Sequence, residues 1–258
     1  MSMLDPLCDH LQAAGLNHLG LLPIADWDAL APPARKAQTL LPEAQSVLVI
    51  GNGGGALWEA FCADLRAEPR HLTEEAHPLN AYVRRIAAGA AALLGNAPHR
   101  WFFVDDEPPI DLRALARAAG LGAPSRLGLL IHPTHGLWMG LRAVLLTPLA
   151  PPPRPAPAPD LCGPCPAPCA AACVGGAFPA GTFEIMRCID FHVTDTACAA
   201  SCAARSACPV GVPYPPLAQA HHNARETGRR ALADQLGIVG DRHSGVGPQW
   251  ARWSRVGR

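Results

Sequence analysis

The sequence predicts an α/β sheet domain followed by a compact cysteine-rich module. Three observations carry this. Strand-like apolar runs alternate with helically spaced segments through the first 150 residues, a proline-rich stretch then breaks the pattern, and eight of the ten cysteines fall between 162 and 208. At 258 residues the chain can hold one substantial core, or a main domain plus a small module. Apolar residues make up 49% of it, which excludes a disordered chain.

The elements follow in order. LDPLCDHLQAAGL opens as an amphipathic helix with Asp5 near its start, where a negative charge complements the helix dipole. SVLVIG (46–51) is short, apolar, rich in β-branched residues and bounded by Pro42 and glycines, so it reads as a buried strand. LNAYVRRIAAGAAALLG has helical spacing, HRWFFVD (99–105) is strand-like, DLRALARAAGLG is a helix ending at glycine, and LGLLIHP (127–133) is strand-like again. Residues 148–159, PLAPPPRPAPAP, contain seven prolines and predict an extended, stiff connection. PPLAQAHHNARETGRRALADQLG predicts a late helix. The expected organisation is a sheet domain over 1–147, a linker over 148–160, a cysteine-rich module over 161–214, and a helix with a tail over 215–258.

Twenty-one basic and 21 acidic groups give zero net charge, so the clustered basic excess of a nucleic-acid binder is missing. The N-terminus lacks a basic region followed by an apolar one, and the most apolar runs are too short to span a bilayer. A cytoplasmic location with no membrane partner is expected, and there thiols stay reduced.

That setting decides how the cysteines are read. Disulfides suit small exported scaffolds. Structural zinc takes four thiolates per ion, commonly as two separated C-x2-C pairs, whereas here four cysteines crowd one run. Two [4Fe–4S] clusters fit best, because a tight loop can serve three corners of a cubane while crowding forces the next cysteine toward a second cluster. The first set is C-x2-C-x3-C-x3-C at 162, 165, 169 and 173; the second is Cys188, then C-x3-C-x5-C-P at 198, 202 and 208. The expected ligand sets are therefore Cys162, Cys165, Cys169 and Cys208 on one cluster, and Cys173, Cys188, Cys198 and Cys202 on the other. Cys8 and Cys62 are read as buried small side chains.

Several other features have two readings. GNGGG (51–55) invites a dinucleotide site, but it is not G-x-G-x-x-G and lacks the acidic residue about twenty positions on, so a turn is preferred. His132 and His135 in HPTH either ligate a metal or hydrogen-bond backbone. His221 and His222 read as a solvated helix face, Trp138 as core, and WARWSRVGR as a disordered tail.

With these residues in place, the chain resembles the epoxyqueuosine reductases, cobalamin-dependent tRNA-modification enzymes whose core is shared with reductive dehalogenases. The likeness is carried by LLPEAQSVLVIG (40–51), FVDDEPPIDLRALARAAGLG (103–122), LGLLIHPTHGLWMG (127–140), CVGGAF (173–178), RCIDFHV (187–193) and CPVG (208–211). On the second segment the family's aspartate falls on Asp106, its proline on Pro109 and its arginine on Arg113. The resemblance implies a nitroreductase-like α/β core that binds a corrinoid, joined to a bicluster ferredoxin-like module that feeds it electrons from a flavodoxin- or ferredoxin-type donor protein. It also implies that Asp106 is the general acid, a role that needs an apolar pocket; the competing reading makes Asp106 a cap for the following helix. The family's W-x-G-K is replaced by APSRLG, the cysteine spacings are looser, and the chain stops soon after the cysteines. These departures are closest to a shorter, ferredoxin-like offshoot acting on a small-molecule substrate, and tRNA is not expected as a partner. The alternative function is a ferredoxin-like electron carrier or docking subunit without corrinoid or catalysis of its own.

Overall fold

The computed structural model describes residues 4–151, 153–211, 214–215, 218–219 and 232–238. Its centre is a four-stranded antiparallel sheet of β1 (His18–Pro23), β2 (Ser46–Gly53), β3 (Arg100–Phe103) and β6 (Met139–Thr147), in the order β1-β2-β6-β3. A separate two-stranded hairpin pairs β4 (Ala123–Pro124) with β5 (Leu130–Ile131).

All eight residues of β2 are buried because both faces of the sheet are covered. Leu48 and Ile50, with Ala143 and Leu145 of β6, face a core built with Leu7, Leu11, Phe61, Leu65 and Tyr82. These come from the helices Leu4–Ala13, Ala56–Ala67 and Pro78–Leu93. Val47 and Val49, with Val144 and Leu146, face the opposite core, where Trp27, Phe102, Leu112 and Leu115 sit. This is strand alternation with an apolar partner on each side. Trp27 is fully buried, lies 4.9 Å from Phe102 between ring centroids, and donates its indole N–H to Arg35 O at 2.8 Å. One ring thus supplies apolar area while its polar atom stays satisfied.

The structure is mixed α/β, as expected, but every pairing in the main sheet is antiparallel. Two of its strands, β1 and β6, lie outside the segments read as strands from sequence. The 127–133 segment, expected as a strand of the sheet, contributes only Leu130–Ile131 to the outlying hairpin. Gly128 turns there at φ +68° and Pro133 follows, so no longer ladder can form. The proline-rich stretch runs back across the sheet domain. A side chain at Gly120 would sit 2.8 Å from Ala156 O, and Arg154 pairs with Asp26 at 2.6 Å. Among the described residues no helix is long and apolar enough to cross a membrane. Of the expected late helix, residues 218–219 and 232–236 are helical; His221, His222 and the tail lie outside the described residues.

Candidate redox site

Local chemistry presents each cysteine. The Asp160 carboxylate accepts N–H bonds from Cys162 and Gly163 at 3.0 and 2.9 Å, which fixes the start of the first run. Ala167, between Cys165 and Cys169, is left-handed at φ +58°, a conformation costing a non-glycine residue on the order of 1 kcal/mol. Asp195 caps the helix Thr196–Ala200 by accepting from the Cys198 N–H at 2.6 Å. Cys188 lies on the helix Ile185–Thr194, and Cys202 precedes the helix Ala203–Ser206, which packs on Pro168–Ala171.

These elements gather the thiols into two groups. Cys162, Cys165, Cys169 and Cys208 line one small cavity with Leu127, Ile131 and Leu137. Burial pushes the Cys169 thiol up, and repulsion from Cys162, Cys208 and Cys165 adds to it. Burial also raises Cys188, reinforced by Cys202 and Cys173, and raises Cys198, reinforced by Cys202, Cys188, Asp195 and Cys173. Ionising several thiols in either group therefore calls for a cationic centre to offset their charge.

Each group offers four thiols, the number a cubane takes with one thiolate on each of its four irons. The Ala177 N–H also donates to Cys173 Sγ at 3.4 Å, the kind of hydrogen bond that tunes an iron–sulfur centre. The donor set fits two cubanes.

On the other side of the β4–β5 hairpin lies a cleft of about 550 Å³, lined by Val104, Pro109, Arg113, Leu129, Met139 and Leu141 among others. That volume suits a small molecule or part of a larger cofactor. Leu129 and Leu130 face the cleft, while Leu127 and Ile131 of the same hairpin face the first thiol group. Arg113 donates to Gly128 O at 3.0 Å and Arg126 to Cys162 O at 3.2 Å, tying the hairpin to both sites.

Asp106 does not line the cleft. Its carboxylate accepts from the Phe103 N–H at 2.8 Å and pairs with Arg84 at 2.9 Å, beside Asp105 on the same guanidinium. The cap of the following helix is instead Asp111, which accepts from Ala114 N–H. Cys62 is buried in the core as expected, whereas Cys8 is only half-buried. Trp138 is buried, stacked on Tyr214 at 5.2 Å with the Arg205 guanidinium 4.0 Å from its ring centre.

Sequence reasoning missed His18. Its ring meets those of His132 and His135 at centroid distances of 4.3 and 5.0 Å. Burial, helped by those two neighbours, pushes its pKa down to about 4. The first three residues of GNGGG continue β2 instead of forming the expected turn, and they make room for this group, because a side chain at Gly53 would strike His18 Nε2 at 2.1 Å.

No family model and no curated protein matches the sequence. Solved structures do match. Epoxyqueuosine reductase from Streptococcus thermophilus superposes with a TM-score of 0.52 at 16% identity, covering 92% of this chain and 80% of that one. A Bacillus subtilis epoxyqueuosine reductase, captured with its catalytic aspartate loop swung out of the active site, gives 0.52 at 17% identity, covering 80% and 64%. The C. elegans B12-trafficking protein CblC gives 0.60 at 12% identity, covering 92% and 97%. The chain thus spans less than two thirds of the Bacillus protein. The likeness is one of fold, and it bears out the resemblance drawn from the sequence.

Proposed function

We propose that the chain is an iron–sulfur redox protein, passing single electrons from two [4Fe–4S] clusters to a corrinoid or small-molecule substrate in the cleft of its α/β domain. The observation that supports this most is the shared hairpin: one face closes the first thiol group and the other lines the cleft. In this reading the fold is a nitroreductase-like core joined to a bicluster ferredoxin-like module. Cys162, Cys165, Cys169 and Cys208 hold the cluster next to the cleft; Cys173, Cys188, Cys198 and Cys202 hold the outer one. Clusters there supply reversible one-electron transfer, with potentials set by burial and by hydrogen bonds to sulfur. Cobalamin in the cleft would supply a metal centre able to accept those electrons.

Ile185, Met186, Ile189 and Val193 are exposed on the helix that carries Cys188. Such an apolar surface suits docking of a flavodoxin- or ferredoxin-type donor beside the outer cluster. Arg113 and Pro109 bound the cleft and orient what binds there. Asp106 delivers a proton only after its loop leaves Arg84, a movement comparable to the swung-out loop of the Bacillus enzyme. Zero net charge points to a small substrate rather than tRNA.

The hold of Arg84 on Asp106 also favours a second reading, an electron carrier whose cleft binds no corrinoid. Hydroxocobalamin separates the two. Added to anaerobically purified, cluster-loaded protein, it is expected to co-elute at about one equivalent with an altered visible spectrum. Passage through the column with an unchanged spectrum would instead establish the carrier.

A further inference from the structure

We propose that His18, His132 and His135 form a mononuclear site for a divalent first-row metal ion, separate from both cysteine groups. Their ligand nitrogens all lie within 4.8 Å of one another. His18 is 6% exposed, and its Nε2 is buried without a hydrogen-bond partner. His135 Nδ1 is likewise buried and unpartnered. Two orphaned nitrogens of this kind are costly unless something binds them. Three neutral imidazoles with no thiol or carboxylate select Zn2+, Ni2+ or Cu2+ over Mg2+ or Ca2+. His132 and His135 are only half-buried, which leaves a fourth position open to water, as in metal sites that do chemistry.

The surroundings are built around these nitrogens. Gly53 and Gly54 follow one another at the end of β2. A side chain at Gly53 would meet His18 Nε2 at 2.1 Å and His135 Cδ2 at 2.5 Å, and one at Gly54 would lie 3.2 Å from His135 Nδ1. Asn17 locks this turn by donating to Gly53 O at 3.1 Å and accepting from Gly53 N–H at 2.9 Å. His132 is the weakest of the three ligands. Its Nδ1 accepts from the N–H groups of Thr134 and His135 at 3.1 and 3.2 Å, so the proton sits on Nε2 until an ion displaces it. Binding through Nε2 moves that proton to Nδ1 and opens the two contacts. The site adjoins the Cys208 segment through Gly136 and Gly211, but it shares no ligand with it and does not depend on the iron–sulfur reading.

The probe is Co2+, titrated into full-length protein and into the His18→Asn/His135→Gln double variant, both anaerobic and after iron–sulfide reconstitution. The wild type is expected to bind one more equivalent, with a difference spectrum of visible d–d bands and no thiolate-to-cobalt charge transfer. A Cys162→Ala/Cys188→Ala chain is expected to keep that equivalent. Equal stoichiometry in wild type and double variant, or a difference spectrum carrying thiolate bands, overturns the proposal. Should circular dichroism show the double variant unfolded, His135→Gln alone, at a half-exposed ring, decides. Its affinity for Co2+ is expected to fall by at least the roughly 10–100-fold that even an outer-shell partner is worth, and unchanged affinity overturns the site.

Discussion

Replacing Cys208 by alanine is expected to remove about half of the iron, emptying the cluster beside the cleft and sparing the outer one. The reason is the crossing of the chain. Cys208 comes last in sequence, yet it lines the same cavity as Cys162, Cys165 and Cys169, and its charge is felt at Cys169. Cys173 stands in the early run, yet it is felt at Cys188 and Cys198. Cys173→Ala is therefore expected to remove the other half. Iron and labile sulfide, measured on each variant and on the double, check this: the singles keep about four irons and the double keeps none. Because the helix Ala203–Ser206, which Cys208 follows in the chain, packs on Pro168–Ala171, the first variant should lose protection from hydrogen exchange in both helices. Full iron in Cys208→Ala would show that the late cysteine does not cross.

The second large effect is expected at Gly136. Its φ is +58°, and a Cβ there would lie 1.9 Å from Val210 O and 2.7 Å from Val210 C. The obstacle is backbone, so no rotamer change relieves it. Gly95 is an internal control, with φ +57° and nothing within 4 Å of the same virtual atom. Gly95→Ala should cost on the order of 1 kcal/mol, from the left-handed backbone alone. Gly136→Ala should cost roughly 3–5 kcal/mol, since strain and steric conflict combine. Thermal melts of the two variants side by side measure this, and the Gly136 shift should be several-fold larger. It should also release iron from the Cys208 side first, because the His135–Gly136 turn holds the Val210–Gly211 segment in place. Equal shifts would mean that this contact does not join the sheet domain to the cysteine region.

The contrast between what the sequence disclosed and what it hid has physical causes. The helices Leu4–Ala13, Pro78–Leu93 and Leu112–Ala118 were legible because each carries a one-sided apolar stripe. The strand Ser46–Gly53 was legible as buried, but its direction was not. Covering on both faces erases the alternation that would mark an antiparallel strand. Met139–Thr147 was hidden by Arg142, a charge that reads as surface. In the fold it is buried and donates to Asn52 Oδ1 at 2.7 Å, on the strand paired with its own. His18–Pro23 was hidden by glycine and proline in a six-residue edge strand. The crowding of Cys162, Cys165 and Cys169 in one run was readable as a local steric constraint, whereas Cys208 reaches their cavity through a long-range contact. The histidine group was only half readable. His132 and His135 share a loop, but His18 joins them through strand pairing that no local pattern reveals. The Arg84–Asp106 pair was missed for the same reason, since it links a helix to a loop beyond the next strand.

The deciding measurement is the iron–sulfur content of the wild-type chain. Protein prepared without exposure to oxygen should be brown, carry about eight irons and eight labile sulfides, and on reduction give the low-temperature magnetic resonance of interacting [4Fe–4S] clusters. Colourless material, or thiols filled by zinc with no sulfide present, would contradict it.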